Sequence, residues 1–211
     1  MVEGWKQNGS FPTSYLDFIN DSLTKTFGAN LANKKIMEFG QGDPTFDSKV
    51  FESKKMIHTY IEPSGTDGST VWPISNVPAP NAVFKVLHLS DQLTEYNNYF
   101  DAIVNISTTE HLEPYENQYD IWKNIHSMCK VDGVMIHILP DSDECRNYLR
   151  WYGHCHYYFG YDFFEYLANV LDYEIINNEL LNFNRSIALK KTSNSNFNFD
   201  RAEFLSKIAV F

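Results

Sequence analysis

Residues 34–44, KKIMEFGQGDP, constrain the fold more than any other stretch of the chain. Ile36, Met37 and Phe39 form an apolar run that reads as a buried strand, and Gly40 and Gly42 break it into a turn. Asp43, Pro44 and Thr45 suit the first positions of a helix. A strand, a Gly-x-Gly turn and a helix N-terminus in succession bring free backbone N–H groups up to a ligand. Further on, KMIHTYIEPSG gives a second apolar strand that ends in an acid, Glu62. A carboxylate there can accept both hydroxyls of a ribose, so the pair points to a cofactor containing a nucleoside.

The rest of the chain predicts more of the same architecture. Tyr15, Leu16, Phe18, Ile19 and Leu23 lie on one face of a helix that Thr13 or Ser14 caps and that Gly28 and Asn30 stop. Phe46, Val50 and Phe51 fit a short helix after the glycine turn, and residues 56–61 form the second strand. Residues 63–81 carry four prolines and no period, where an α/β repeat would place a helix. Strands follow at 83–89, 101–106 and 134–139, separated by a brief helical turn near 91–96, a polar loop at 107–113, a helix over 114–129 and an Asp132–Gly133 turn. Residues 141–160 read as a second long connection, polar and aromatic, before a helix at 163–171. Residues 173–176 and 186–190 have hairpin-like spacing and read as antiparallel neighbours. The tract TSNSNFNFD reads as a polar linker to a weak helical pattern at 200–210.

Alternating strands and helices with apolar central strands imply an open, mostly parallel sheet of seven strands, with helices on both faces and an antiparallel last strand. The expected organisation is a single domain over 1–211, with an N-terminal helical arm at 1–30, a core at 31–191 and a tail at 192–211. Ligands of such sheets sit at the carboxyl ends of the strands. Composition narrows the partners. A formal net charge of −10, with no evident Lys/Arg cluster, disfavours phosphate-driven binding of nucleic acid. Three cysteines, Cys129, Cys145 and Cys155, without CxxC spacing, suggest a reducing compartment and no disulfide framework. MVEGWKQNGS lacks the apolar region of a signal peptide, and no apolar run is long enough to span a bilayer. A cytoplasmic protein without membrane partners is expected; its oligomeric state is open.

Five segments in order resemble the class I S-adenosylmethionine-dependent methyltransferases, a Rossmann-like family. MEFGQGDP looks like the family's first motif, with Glu38, Gly40 and Gly42 in place and Pro44 where the third glycine stands. IEPSG looks like the second, LSDQL like the adenine-facing segment, FDAIVNISTTEHLEP like the fourth-strand motif, and VDGVMIHIL like the turn and fifth strand. The resemblance covers roughly residues 36–191 and makes SIALKK the antiparallel final strand. It implies S-adenosyl-L-methionine as cofactor. Glu38, Phe39, Gly40, Gln41 and Gly42 would then meet its amino-acid end, and Glu62 with Pro63 the ribose. Asp91 and Gln92 would meet the adenine, and Asn105 and Ile106 the methionine and methyl side. Residues 153–175 also look like a stretch of methyltransferases associated with saccharides, which ranks a sugar among the small-molecule acceptors.

Methyl transfer is an in-line displacement that often needs a base for the acceptor's proton. His111, just past the fourth strand, is the first candidate, and its bland alternative is a histidine bonding a loop backbone. His154 and His156, in the second long connection, are the others, against a hydrogen-bonded cluster with Trp151, Tyr152, Tyr157 and Tyr158. The HCH triplet with Cys145 fits no standard zinc spacing, so no metal is expected. Two rival readings remain. One is a binding or assembly protein of the same fold with a degenerate cofactor motif, which Pro44 favours. The other is a nicotinamide dinucleotide enzyme, for which the third glycine is missing.

Overall fold

The computed structural model describes residues 12–39, 54–62, 83–86, 89–90, 93–148 and 155–210, with backbone alone at 58–62, 83–86 and 148. Its centre is a seven-stranded sheet in the order β3-β2-β1-β4-β5-β8-β7. These strands are β1 (Lys35–Phe39), β2 (Ile57–Glu62), β3 (Val83–Val86), β4 (Phe100–Ile106), β5 (Cys129–Pro140), β7 (Tyr173–Leu181) and β8 (Asn184–Lys191). The first five pair in parallel, and β8 runs antiparallel to both β5 and β7. The seven-stranded, mostly parallel sheet and its antiparallel closing strand match the sequence pattern. A separate two-stranded ribbon pairs β6 (Tyr157–Tyr158) with β9 (Ala209–Val210).

Side-chain alternation along the central strands divides the core into two layers. Ile36, Ala102, Val104, Ile106, Ile136 and Ile138 face helix α1 (Thr13–Phe27), whose Tyr15, Phe18, Ile19 and Leu23 are buried on them. Met37, Phe39, Ile103, Met135 and Leu139 face the opposite layer, built from α2 (Gln118–Met128), α4 (Tyr161–Leu171) and α5 (Arg201–Ser206). Trp122 of α2 is the hub there, its ring within 6.0 Å of His137, Phe159, Phe163 and Phe164. Burying each such side chain contributes about 1.5–3 kcal/mol before entropy is charged against it.

Several local expectations are corrected. Neither Thr13 nor Ser14 caps α1; Pro12 stands at the N-cap without a side-chain bond, and its ring presets the first turn. Gly28 does end the helix, at φ 72°, a left-handed backbone that favours glycine. The helix expected at 114–129 starts with a 3-10 turn, Tyr115–Asn117, and becomes α-helical only at Gln118. The Asp132–Gly133 turn lies inside a longer strand, where the β4 pairing slips between Phe100 and Ala102. A Cβ on Gly133 would come 2.7 Å from Asp101 O, so the bulge accepts only glycine there. The connection at 141–160 contains α3 (Ser142–Tyr148), where Asp141 Oδ1 accepts from the N–H groups of Asp143 and Glu144, each at 3.0 Å.

The tract TSNSNFNFD is no free linker. Phe197 and Phe199 are buried against Phe204, Tyr119 and Tyr166. Ser195 O accepts from His126 Nε2 at 2.7 Å, which fixes the imidazole tautomer and leaves Nδ1 to accept from Tyr173. Burial, with Lys191 close by, pushes His126 down to about 4. Lys191 is itself buried and donates to the carbonyls of His126 and Cys129, capping the end of α2. The short helix expected after Gly42 and the loop at 63–81 lie outside the described residues.

Candidate functional site

Strand order reverses between β1 and β4, since β2 and β3 lie on one side of that pair and β5 on the other. A parallel sheet opens a crevice at such a point, above the carboxyl ends of the strands. Phe39, the last residue of β1, is in register with Asn105 of β4 and with Ile61 of β2, so Glu62 stands one residue further out on β2. Thr108 Oγ1 donates to Phe39 O at 2.9 Å and pins the loop after β4 onto the end of β1. Glu38 is buried at this point, on the α1 face with Ile36.

Of the sequence-derived candidates, Glu38, Phe39, Glu62, Asn105 and Ile106 are thus gathered at the carboxyl ends of adjacent strands. Asn105 uses its side chain internally. Its Nδ2 donates to Thr109 Oγ1 at 2.9 Å and lies 3.2 Å from His137 Nδ1. Ile106 is buried among the apolar residues under α1. Gly40, Gln41, Gly42, Pro63, Asp91, Gln92 and His154 lie outside the described residues, and Glu62 is described by its backbone.

The loop that follows β4 is held from beneath. It makes a 3-10 turn, Thr109–His111, and Gln118 Nε2 donates to both Thr109 O at 2.9 Å and Leu112 O at 2.8 Å. His137, wholly enclosed by Trp122, Phe164 and Asn105, is driven by burial down to about 3 and stays neutral. This network makes the loop a fixed platform rather than a lid.

Three side chains stand on that platform. Glu110 is fully buried, and neither carboxyl oxygen has a hydrogen-bond partner among the described residues. Burial pushes it up to about 8, against the opposing effect of its own backbone amide and the nearby Ser107 hydroxyl. It is therefore mostly protonated at neutral pH. His111 holds Nε2 3.7 Å from Glu110 Oε1, too far for a hydrogen bond. Glu113 reaches across to the next connection, where its Oε1 lies 3.1 Å from His156 Nδ1. The His156 backbone N–H donates to Glu110 O at 3.0 Å, so the connections after β4 and β5 are tied together here.

Cys145 and Cys155 are buried in a small cluster with Tyr158. Burial pushes Cys145 up to about 12 and Cys155 higher still, so neither is a nucleophile. Among the described residues, no group of three or more His, Cys, Asp or Glu side chains is placed to hold a metal ion, and no helix is long and apolar enough to cross a membrane.

Sequence reading passed over Glu110 and Glu113. Both stand in TTEHLEP beside the histidine that drew attention, and an acid in a polar loop gives no sign of whether it is buried. The pairing of Glu113 with His156 is a contact between two connections and has no local signature.

No protein-family model matches the sequence, and no curated protein sequence does. Solved structures do match. Protein PH0226 from Pyrococcus horikoshii OT3 is 16% identical, with 85% of this chain and 90% of that one covered at a TM-score of 0.60. A TehB-like SAM-dependent methyltransferase from Corynebacterium glutamicum is 14% identical, with 84% and 87% covered at 0.57. The N-methyltransferase NodS from Bradyrhizobium japonicum WM9, in complex with S-adenosyl-L-homocysteine, is 13% identical, with 83% and 88% covered at 0.54. The likeness is one of fold: this chain has the fold of the class I S-adenosylmethionine-dependent methyltransferases.

Proposed function

We propose that the chain is an S-adenosylmethionine-dependent methyltransferase acting on oxygen or nitrogen of a small polar acceptor, with sugars the first class to test. The observation that carries this reading is the buried acid Glu38 at the reversal of strand order, with Glu62 ending the neighbouring strand. A buried acid at that crevice and an acid ending the adjacent strand would match the two donor-rich parts of an adenosyl amino acid. Glu38 would face the ammonium and Glu62 the ribose hydroxyls. Backbone N–H groups of Gly40, Gln41 and Gly42 would hold the carboxylate, and Asp91 and Gln92 the adenine. Pro63 would line the crevice, and Phe39, Asn105 and Ile106, whose side chains are buried, would contribute through their main chains. When bound, the cofactor supplies a methyl group whose bond to sulfur breaks toward sulfur as the acceptor's lone pair takes the carbon. The protein then has to align the acceptor and remove its proton, for which His111, His154 and His156 are the candidates. The solved structure of NodS with S-adenosyl-L-homocysteine supports the choice of cofactor by fold.

Titration calorimetry with S-adenosylmethionine tests this directly. The wild-type chain binds, and Glu62→Ala weakens binding at least tenfold, about 1.4 kcal/mol, with an unchanged circular dichroism spectrum. Absence of any binding to wild-type protein removes the methyltransferase reading. Equal affinities for the two proteins remove the ribose assignment alone.

A further inference from the structure

We infer that Glu113 is a positioning residue: it holds His156 as the Nδ1–H tautomer and leaves its Nε2 bare as the base for the methyl acceptor. This rests on the methyltransferase reading above. Glu113 Oε1 and His156 Nδ1 face each other at 3.1 Å, and a carboxylate can only accept, so the pair favours the proton on Nδ1. The other nitrogen keeps its lone pair. The side chains of His156 and Glu113 are 45% and 44% exposed, so the pair lies where a solute can approach it.

An exposed ion pair is ordinarily worth little, about 0–1 kcal/mol, and its partners wander. Here both backbones are fixed. His156 is tied through its N–H to Glu110 O, and the following β6 is clamped by β9 and by the Phe159 N–H on Pro140 O. Glu113 follows Leu112, whose carbonyl is held by Gln118, and the Tyr115 ring beyond it packs on Tyr157 at 5.7 Å. Glu113 and His156, each held by backbone hydrogen bonds or packing on the connections after adjacent strands, thus present one oriented imidazole beside the carboxyl ends of the sheet. In the proposed step the acceptor's O–H or N–H proton passes to His156 Nε2 while the acceptor atom gains the methyl group. The imidazolium that results faces the Glu113 carboxylate.

Nitrogen-15 NMR of imidazole-labelled protein reads the tautomer, with the His156 signals assigned by their loss in His156→Ala. Wild type shows Nδ1–H at alkaline pH. Glu113→Gln keeps it, because the amide oxygen still accepts, whereas Glu113→Ala shifts the population to Nε2–H. A wild-type Nε2–H tautomer, or no change in Glu113→Ala, overturns the inference. A second arm follows methyl transfer from labelled S-adenosylmethionine into a mixture of defined monosaccharides, phenols and primary amines. Glu113→Ala lowers turnover at least tenfold, Glu113→Gln restores most of it, and both bind S-adenosylmethionine within twofold of wild type. Turnover in Glu113→Ala equal to wild type overturns the inference. A wild-type chain that binds no S-adenosylmethionine sinks the methyltransferase reading instead, and the tautomer measurement still decides whether Glu113 orients His156.

Discussion

Replacing Glu110 by glutamine should stabilise the protein, and the gain should grow with pH. In the unfolded chain the carboxyl titrates near its ordinary 4.5, and in the folded chain near 8. Below pH 4.5 both states are protonated and nothing is lost. As pH rises, the unfolded state releases its proton and the folded state does not, so folding is penalised progressively until about pH 8. Each pH unit in that window is worth about 1.4 kcal/mol. The penalty is about 1 kcal/mol at pH 5 and about 3 kcal/mol at pH 7. Glu110→Gln titrates in neither state and escapes it. For a chain of this size the gain at pH 7 corresponds to a rise in Tm of roughly 8 °C. His126 and His137 work in the opposite direction. Both are neutral when folded, so their stabilisation is full above pH 6.5 and is lost as pH falls toward 4 and 3. They titrate alike in variant and wild type and drop out of the difference. Urea unfolding of both proteins at pH 5, 6, 7 and 8 gives that difference directly. If it is zero at pH 7, or flat with pH, the Glu110 carboxyl is ionised in the folded chain and its burial does not hold the proton on.

His111→Ala is expected to leave methyl transfer into the acceptor mixture within about twofold of wild type, since His156 is the proposed base; a loss of about tenfold or more, with S-adenosylmethionine binding unchanged by calorimetry, would move proton removal to His111. Arg185→Met should cost about 3 kcal/mol by urea midpoint, because it strands the fully buried Asp141 carboxylate that its Nε meets at 2.9 Å. Adding Asp141→Asn should recover part of that loss, and strictly additive costs in the pair would show that the two charges do not interact.

The parts of the fold that were legible are those where one physical effect dominates. The strands around Ile36, Ile103 and Ile136 are buried on both faces, so their apolar runs are nearly continuous. Helix α4 shows its inward stripe through Phe163, Phe164, Leu167 and Leu171. What was hidden depends on distant partners. Helix α3 sends Cys145 into a buried cluster and is anchored by an aspartate outside it, so no amphipathic period betrays it. Phe197 and Phe199 look isolated among asparagines, yet both rings pack on Phe204 of the helix that follows them. At the site, Glu38 and Glu62 were visible from strand ends. The burial of Glu110 and the partnership of Glu113 with His156 depend on where the connection after β5 comes to rest.

Helix α1 packs on strands that come much later in the chain. Tyr15 meets Asn184 across 169 residues, and Asp21 meets Asn177 across 156. On a ribosome adding roughly 5–20 residues per second, that apolar stripe would wait on the order of 10–30 s for its cover. During synthesis the first helix is therefore an obvious site for a chaperone, and the nascent chain can complete its sheet only after β8 has left the exit tunnel and slid between β5 and β7.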